Sequence, residues 1–253
     1  MSLPLKTVKE LLDAHRYPRA LKELGKIQVD CLSSDERAEY EMLFGIALFE
    51  TGHIDEAIDR YKRCVQIAKD ECRHFNLYAP YYELSLLHFS VYCKHRGFDD
   101  LEKAIDYCKL ALDIAINSSF VKRTSGFEIY YEDSPEAFID ALIHLAVLYQ
   151  TQGKLQESID ILLVSKTICQ HYSRFGSLGQ VYDELGTSHA LLGNMEMASY
   201  YFLKSVKAKE VINNVKGIEI TIHKHIMLSL SHPEMFLGEK VSELKHLISE
   251  ECI

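Results

Sequence analysis

Apolar residues recur along most of the chain at offsets of three and four, which puts them on one face of a helix. Val8, Leu11 and Leu12 make one stripe, and after a break at Tyr17-Pro18 a second follows in Ala20, Leu24 and Ile27. Pro18 suits the first turn of a helix, where its missing N–H is not needed. Ser33-Ser34-Asp35-Glu36 offers a capping box, with Ser33 bonding forward and Glu36 reaching back. From there a longer pattern repeats. It reads Phe44-Gly45, Leu48, Gly52, Ala57, Tyr61, Cys64, and next Phe89-Ser90, Cys93, Gly97, Ala104, Cys108, Ala111, with two extra residues after Gly97. The third copy is Leu145-Ala146, Tyr149, Gly153, Ser158, Leu162, Ser165, and the fourth is Leu185-Gly186, His189, Gly193, Ala198, Phe202, Ser205.

Each copy reads as two antiparallel helices joined by a tight turn. The glycine before the second helix tolerates positive φ and lets the chain reverse. A small residue on each helix, Gly45 with Ala57 and Gly186 with Ala198, allows the backbones to approach. A large apolar residue four positions on fills the gap to the neighbouring hairpin. Such a hairpin cannot bury its own face alone, so stacking is required.

The Leu-Gly-x-x-His, Ala-x-x-x-Phe pattern of the fourth copy resembles the tetratricopeptide repeat (TPR) family, and the first copy is nearly as close. The resemblance covers four repeats and half of an N-terminal unit. It implies an all-α fold, a right-handed superhelix (solenoid) of antiparallel helical hairpins. Two features depart from the family. Its closing proline is absent, with Lys69, Ile116, Gln170 and Glu210 about where it would fall, so the second helices are expected to run on by a turn or more. The period is also long, as in long-helix variants.

The expected organisation is a single domain over 1–253. It has an N-terminal hairpin at 1–34 and repeats at 36–72, 80–116, 134–171 and 174–212. An inserted loop lies at 117–133, with Phe120, Phe127, Ile129, Tyr130 and Tyr131 packing back or contacting a partner. Ser134-Pro135-Glu136 restarts a helix. Residues 214–253 lack the repeat spacing and read as capping helices, one carrying Ile218, Ile222, Ile226 and Leu230, the other Val241, Leu244, Leu247 and Ile248.

Composition narrows the function. The chain has 253 residues, 47% hydrophobic, with a formal charge of −9. That charge makes nucleic acid a poor partner. No run of 18 apolar residues marks a membrane span and no secretory signal opens the chain. Seven cysteines (31, 64, 72, 93, 108, 169 and 252) form no Cys-x-x-Cys pair and fit reduced thiols of a cytoplasmic protein. No phosphate loop, nucleophile elbow or His-Glu-x-x-His motif occurs. His223-x-His225 is too closely spaced for one helix to aim both rings at a metal. Cys169 with His171 reads as a core thiol beside a surface histidine rather than a nucleophile and base. No cofactor, metal or catalytic residue is assigned.

The resemblance implies a concave face lined by first helices that binds peptides. Matched positions give Glu39, Met42, Leu43 and Ile46 in the first repeat and Leu84, Leu87, His88 and Val91 in the second. They give Asp140, Ile143, His144 and Val147 in the third, and Gln180, Asp183, Glu184 and Thr187 in the fourth. The candidate site is Met42, Ile46, Leu87, His88, Val91, Ile143, His144, Val147, Asp183, Glu184 and Thr187. His88, His144, Asp183 and Glu184 are expected to be exposed, because ionisable groups resist burial. The face would run from apolar to acidic and suit a protein or peptide with basic and apolar side chains. The reading is a non-enzymatic scaffold or adaptor. The alternatives are a peptide-sensing regulator resembling bacterial TPR-type quorum-peptide receptors or response-regulator inhibitors, and an enzyme with an unrecognised site.

Overall fold

The computed structural model describes residues 3–71, 77–117, 121–123, 129–131 and 135–231. They pack as two compact units, residues 1–121 and 122–253. In the first, α1 (Leu3–Asp13) and α2 (Tyr17–Leu24) precede a single 3-10 turn at Val29–Cys31, and two long hairpins follow. These are α3 (Ser34–Glu50) with α4 (Ile54–Glu71), and α5 (Tyr78–His95) with α6 (Phe98–Asn117). The second unit holds α7 (Glu136–Gln152) with α8 (Leu155–His171), α9 (Phe175–Leu191) with α10 (Met195–Val211), and α11 (Val215–Ser231). No described helix is long and apolar enough to cross a membrane.

The helix ends follow from local chemistry. Ser33 caps α3: its Oγ accepts from the Glu36 N–H at 3.3 Å while the Glu36 carboxylate accepts from the Ser33 N–H at 3.2 Å. Gly52, Gly153 and Gly193 sit at φ of 85°, 83° and 79° and turn α3, α7 and α9 into their partners. In the second hairpin the left-handed residue is Arg96 (φ 58°), not Gly97. The second helices α8 and α10 stop one residue past Gln170 and Glu210, short of the expected extra turn. A left-handed residue ends each of them in place of proline. Ser173 and Asn213 both have φ of 53°, and the next residues, Arg174 and Asn214, donate back to the Cys169 and Lys209 carbonyls at 2.8 and 3.0 Å.

The insert contains β1 (Val121–Arg123) and β2 (Ile129–Tyr131), paired as a two-stranded sheet where a loop was expected. Residues 118–120, 124–128 and 132–134, including the Ser134 cap, lie outside the described residues. So does the second capping helix expected within 232–253.

Small residues decide where each hairpin closes. A Cβ on Gly45 would lie 2.6 Å from the Tyr61 ring, and one on Gly186 would lie 2.8 Å from the Phe202 ring. The large residue therefore covers the glycine of its own hairpin instead of filling a gap to the next. Ser85 takes this place in α5, donating to the Ala104 carbonyl of α6 at 2.7 Å while wholly buried. Twelve residues separate Gly45 from Ala57 and Gly186 from Ala198, but nineteen separate Ser85 from Ala104. The tip of the α5–α6 hairpin is longer on both arms. The repeat motif there belongs at Leu84-Ser85, five residues before Phe89-Ser90, a shift that is not a whole number of helical turns.

Gly186→Ala is expected to lower stability by about 1–3 kcal/mol, because the added methyl overpacks against Phe202. Gly176→Ala, whose Cβ meets only Ile212 at 3.6 Å, is expected to raise it by about 0.5 kcal/mol through helix propensity. Chemical denaturation of both variants checks the sign and the order.

Candidate functional site

The corrected register redraws the face made by the first helices. In α3 the positions stay at Glu39, Met42, Leu43 and Ile46. In α5 they become Ala79, Tyr82, Glu83 and Leu86, all partly exposed. Leu87, His88 and Val91 leave the face. Leu87 is fully buried and His88 is 5% exposed. His88 stacks on Tyr107 of α6 at 5.5 Å, and its Nδ1 lies 2.9 Å from Asp100. Val91 packs against the core around Tyr61 and Leu84.

In the second unit, Ile143, Val147, Glu184 and Thr187 are partly exposed, whereas His144 and Asp183 are buried. Asp183 resists burial only when unpaired, and here it is not. Its carboxylate pairs with Lys209 of α10 and accepts from the Thr221 hydroxyl of α11 at 2.8 Å. Lys209 also donates to Thr221 at 2.7 Å, closing a buried triangle across three helices. Glu184 accepts from Lys224 of α11 at 2.9 Å. The expected acidic end of the face is thus neutralised from within the unit.

Sequence reading assigned α11 to capping and missed its part in this face. The left-handed residues Ser173 and Asn213 are forty residues apart, as are Gly153 and Gly193. Carried one period on, Gln180, Asp183, Glu184 and Thr187 map to Ile220, His223, Lys224 and Met227. Ile220 is 56% exposed and Met227 53%. The forty-residue offset was the available signal.

One arrangement appears in both units. Tyr81 stacks on Tyr107 at 6.1 Å and 26°, with His88 on the same ring at 14°. Tyr182 stacks on Tyr201 at 6.1 Å and 27°, with His189 on that ring at 5.4 Å and 13°. Seven residues separate tyrosine from histidine in each first helix. Burial lowers the pKa of His88, against the opposing pull of Asp100, and burial lowers that of His189 and His225.

The chemistry of the other singled-out residues is quiet. Burial pushes the Cys108 thiol up to about 12 and the Cys169 thiol up to about 11, which opposes thiolate formation. Cys169 is buried, and His171 is exposed with its ring edge-on to Tyr172. His225 turns to the Ser199 hydroxyl at 3.0 Å, while His223 is exposed. No group of three potential metal ligands occurs among the described residues.

Two outcomes follow. Asp183→Ala, which strands Lys209 in the interior, is expected to cost about 3–5 kcal/mol in urea denaturation, so it reports on stability before it reports on binding. His189→Phe keeps the ring stack and removes a base whose folded pKa lies below its unfolded one. The unfolded wild type takes up protons first, so its stability relative to the variant falls as pH drops through about 6.5. Denaturation midpoints measured at about pH 7.5 and 5.5 check the direction.

No protein-family model matches the chain, and no curated protein sequence matches it. Solved structures do. The TPR-like repeats of a Podosopora anserina protein described as a kinesin light chain share 16% identity, covering 85% of this chain and 99% of that one, with a TM-score of 0.64. The apo quorum sensor NprR of B. thuringiensis shares 17%, covering 98% of this chain and 62% of that one, with a TM-score of 0.66. A signal-transduction ATPase with numerous domains from Pyrococcus horikoshii, carrying a tetratricopeptide repeat sensor, shares 15%. There the match covers 97% of this chain and 35% of that one, at a TM-score of 0.74. These likenesses and the helical hairpins agree on one architecture: the chain has an all-α, TPR-like helical-repeat fold.

Proposed function

We propose that the protein is a non-enzymatic scaffold or adaptor that holds a peptide or a partner protein on the face made by its first helices. The observation that carries this is the surface of α7, α9 and α11 in the second unit. Ile143, Val147 and Thr187 are partly exposed there, and Ile220 and Met227 are more than half exposed. Exposed apolar side chains at the matched outer positions of successive helices form a strip that water covers poorly and an apolar segment covers well. Asp183 and Glu184 of α9 are paired with Lys209 and Lys224, which leaves Asp140 of α7 as the exposed acid at the matched positions. Attraction in this unit is therefore apolar first. A second reading, a peptide-sensing regulator, draws on the likeness of nearly the whole chain to a quorum sensor.

The test starts from peptides selected on the full chain by phage display. Binding of the best of them is then measured calorimetrically. Ile220→Glu with Met227→Glu is expected to weaken binding by about tenfold or more, since fully burying one such apolar side chain is worth roughly 1.5–3 kcal/mol. Thermal melting should hardly change. Val164→Glu, a similarly exposed site on α8 (54%), should leave affinity intact. Affinity unaltered by the double change sinks the assignment.

A further inference from the structure

The first unit carries its most exposed apolar side chain at the end of a projection. Phe98 opens α6 and is 76% exposed, more than any other large apolar residue among those described. Nineteen residues separate Ser85 from Ala104, against twelve at the matched places of the α3–α4 hairpin. The extra residues, shared between two arms, carry the α5–α6 tip about 5 Å beyond its neighbour. Lys94, His95 and Arg96 lie exposed on the α5 arm of this tip, and Asp99 lies exposed on the α6 arm.

A cleft of about 590 Å³ opens in the same unit, between α1, the end of α2, the 3-10 turn and the start of α3. Its apolar lining includes Pro4, Ile27 and Leu32, the last two packed against the core around Leu5, Val8 and Leu24. Its charged lining is Glu23, which accepts from Lys26 at 2.7 Å, and Glu36, which accepts from the Ser33 N–H. Two carboxylates against one ammonium leave the cleft acidic, and Asp30 is exposed in the turn beside it. The volume holds a phenylalanine side chain with room for a flanking cation. The apolar lining suits the ring, and the glutamates suit Lys94 and Arg96.

Tip and cleft cannot meet within one chain. Arg37 in the first turn of α3 pairs with Glu71 at the end of α4, and Lys69 lies over the ring of Tyr81, in the first turn of α5, at 5.6 Å. So α3 and α5 run the same way. The cleft lies at their starting end and Phe98 past their finishing end, with about 25 Å of helix between.

We propose that Phe98 of one copy enters the cleft of a second copy and joins the chains head to tail. The two surfaces differ, so the contact does not close on itself, and each added copy brings a fresh tip and a fresh cleft. One ring and two cations make a small interface, so association is weak and depends on concentration. The contact uses none of the outer positions that the peptide reading assigns, and it stands or falls independently of that reading.

Sedimentation velocity on the full chain tests this, under reducing conditions so that the exposed Cys31 and Cys93 cannot link chains. The weight-average mass should rise with loading concentration past that of a dimer. Phe98→Asp removes the tip, and Gln28→Trp fills the cleft from an exposed position in its lining. Each should weaken association by about tenfold or more. Thermal melting should match wild type for both, and Thr7→Trp fills the cleft from α1 if Gln28→Trp melts early. Mixed in equal amounts, the tip variant and the cleft variant should form a dimer and nothing larger, because one working tip and one working cleft remain. A wild-type chain that stays monomeric or stops at a dimer overturns the proposal. So does association that survives Phe98→Asp, or a mixture that stays monomeric.

Discussion

Close approach of two helices at one small residue is the constraint on which the rest depends. A tyrosine ring can lie across α3 only because position 45 is glycine, and a phenylalanine ring can lie across α9 only because position 186 is. That contact fixes the rotation of each first helix about its axis. Rotation in turn decides which side chains look outward on the face away from the partner helix. The same rule puts Ser85 in the third such place, where its hydroxyl spends its hydrogen bond on the Ala104 carbonyl. Which side chains the outer face presents is therefore set by packing on the inner one.

Electrostatics then removes much of the charge that sequence suggests. Asp183, Lys209 and Thr221 come from three helices and are buried together. Such a triangle adds little net stability over an apolar replacement, since both ions lose their hydration. It does select one geometry, because a rotated α11 would take the Thr221 hydroxyl away from both buried ions. Lys224 with Glu184 repeats the link nearer the surface. The pairs tie α11 to α9 and α10.

The hairpins, the Ser33 cap and three of the four glycine turns were legible because each depends on neighbours close in sequence. The extended α5–α6 tip was not. Both arms can lengthen while apolar residues still recur at offsets of three and four, and Gly97 offered a plausible but wrong reversal beside Arg96. That shift moved His88 from an imagined groove to a buried stack on Tyr107. Burial of Asp183 was equally hidden, since its partners lie 26 and 38 residues away. Periodicity says which face a residue occupies, and it does not say what comes to meet it. The twin Tyr–Tyr–His stacks are a case in point. Their seven-residue spacing is visible in sequence, but the ring that unites each pair comes from another helix.

α11 carries a larger residue at the position where the other first helices are small. One period on from Gly186 the chain has Ile226, which is 51% exposed. A helix approaching it as closely as Phe202 approaches Gly186 would meet a branched side chain where the other first helices offer Gly45, Ser85 or Ala146. Overpacking of that kind costs about 1–3 kcal/mol in a well-packed core. α11 keeps the buried face that seats it on α10, through Thr221 and His225, and has a branched side chain at 226 where α3 and α9 have glycine. Its outward positions, Ile220 and Met227, nonetheless stay in register with those of α9. A branched residue at 226 thus limits how closely a helix can approach without changing which positions of α11 look outward.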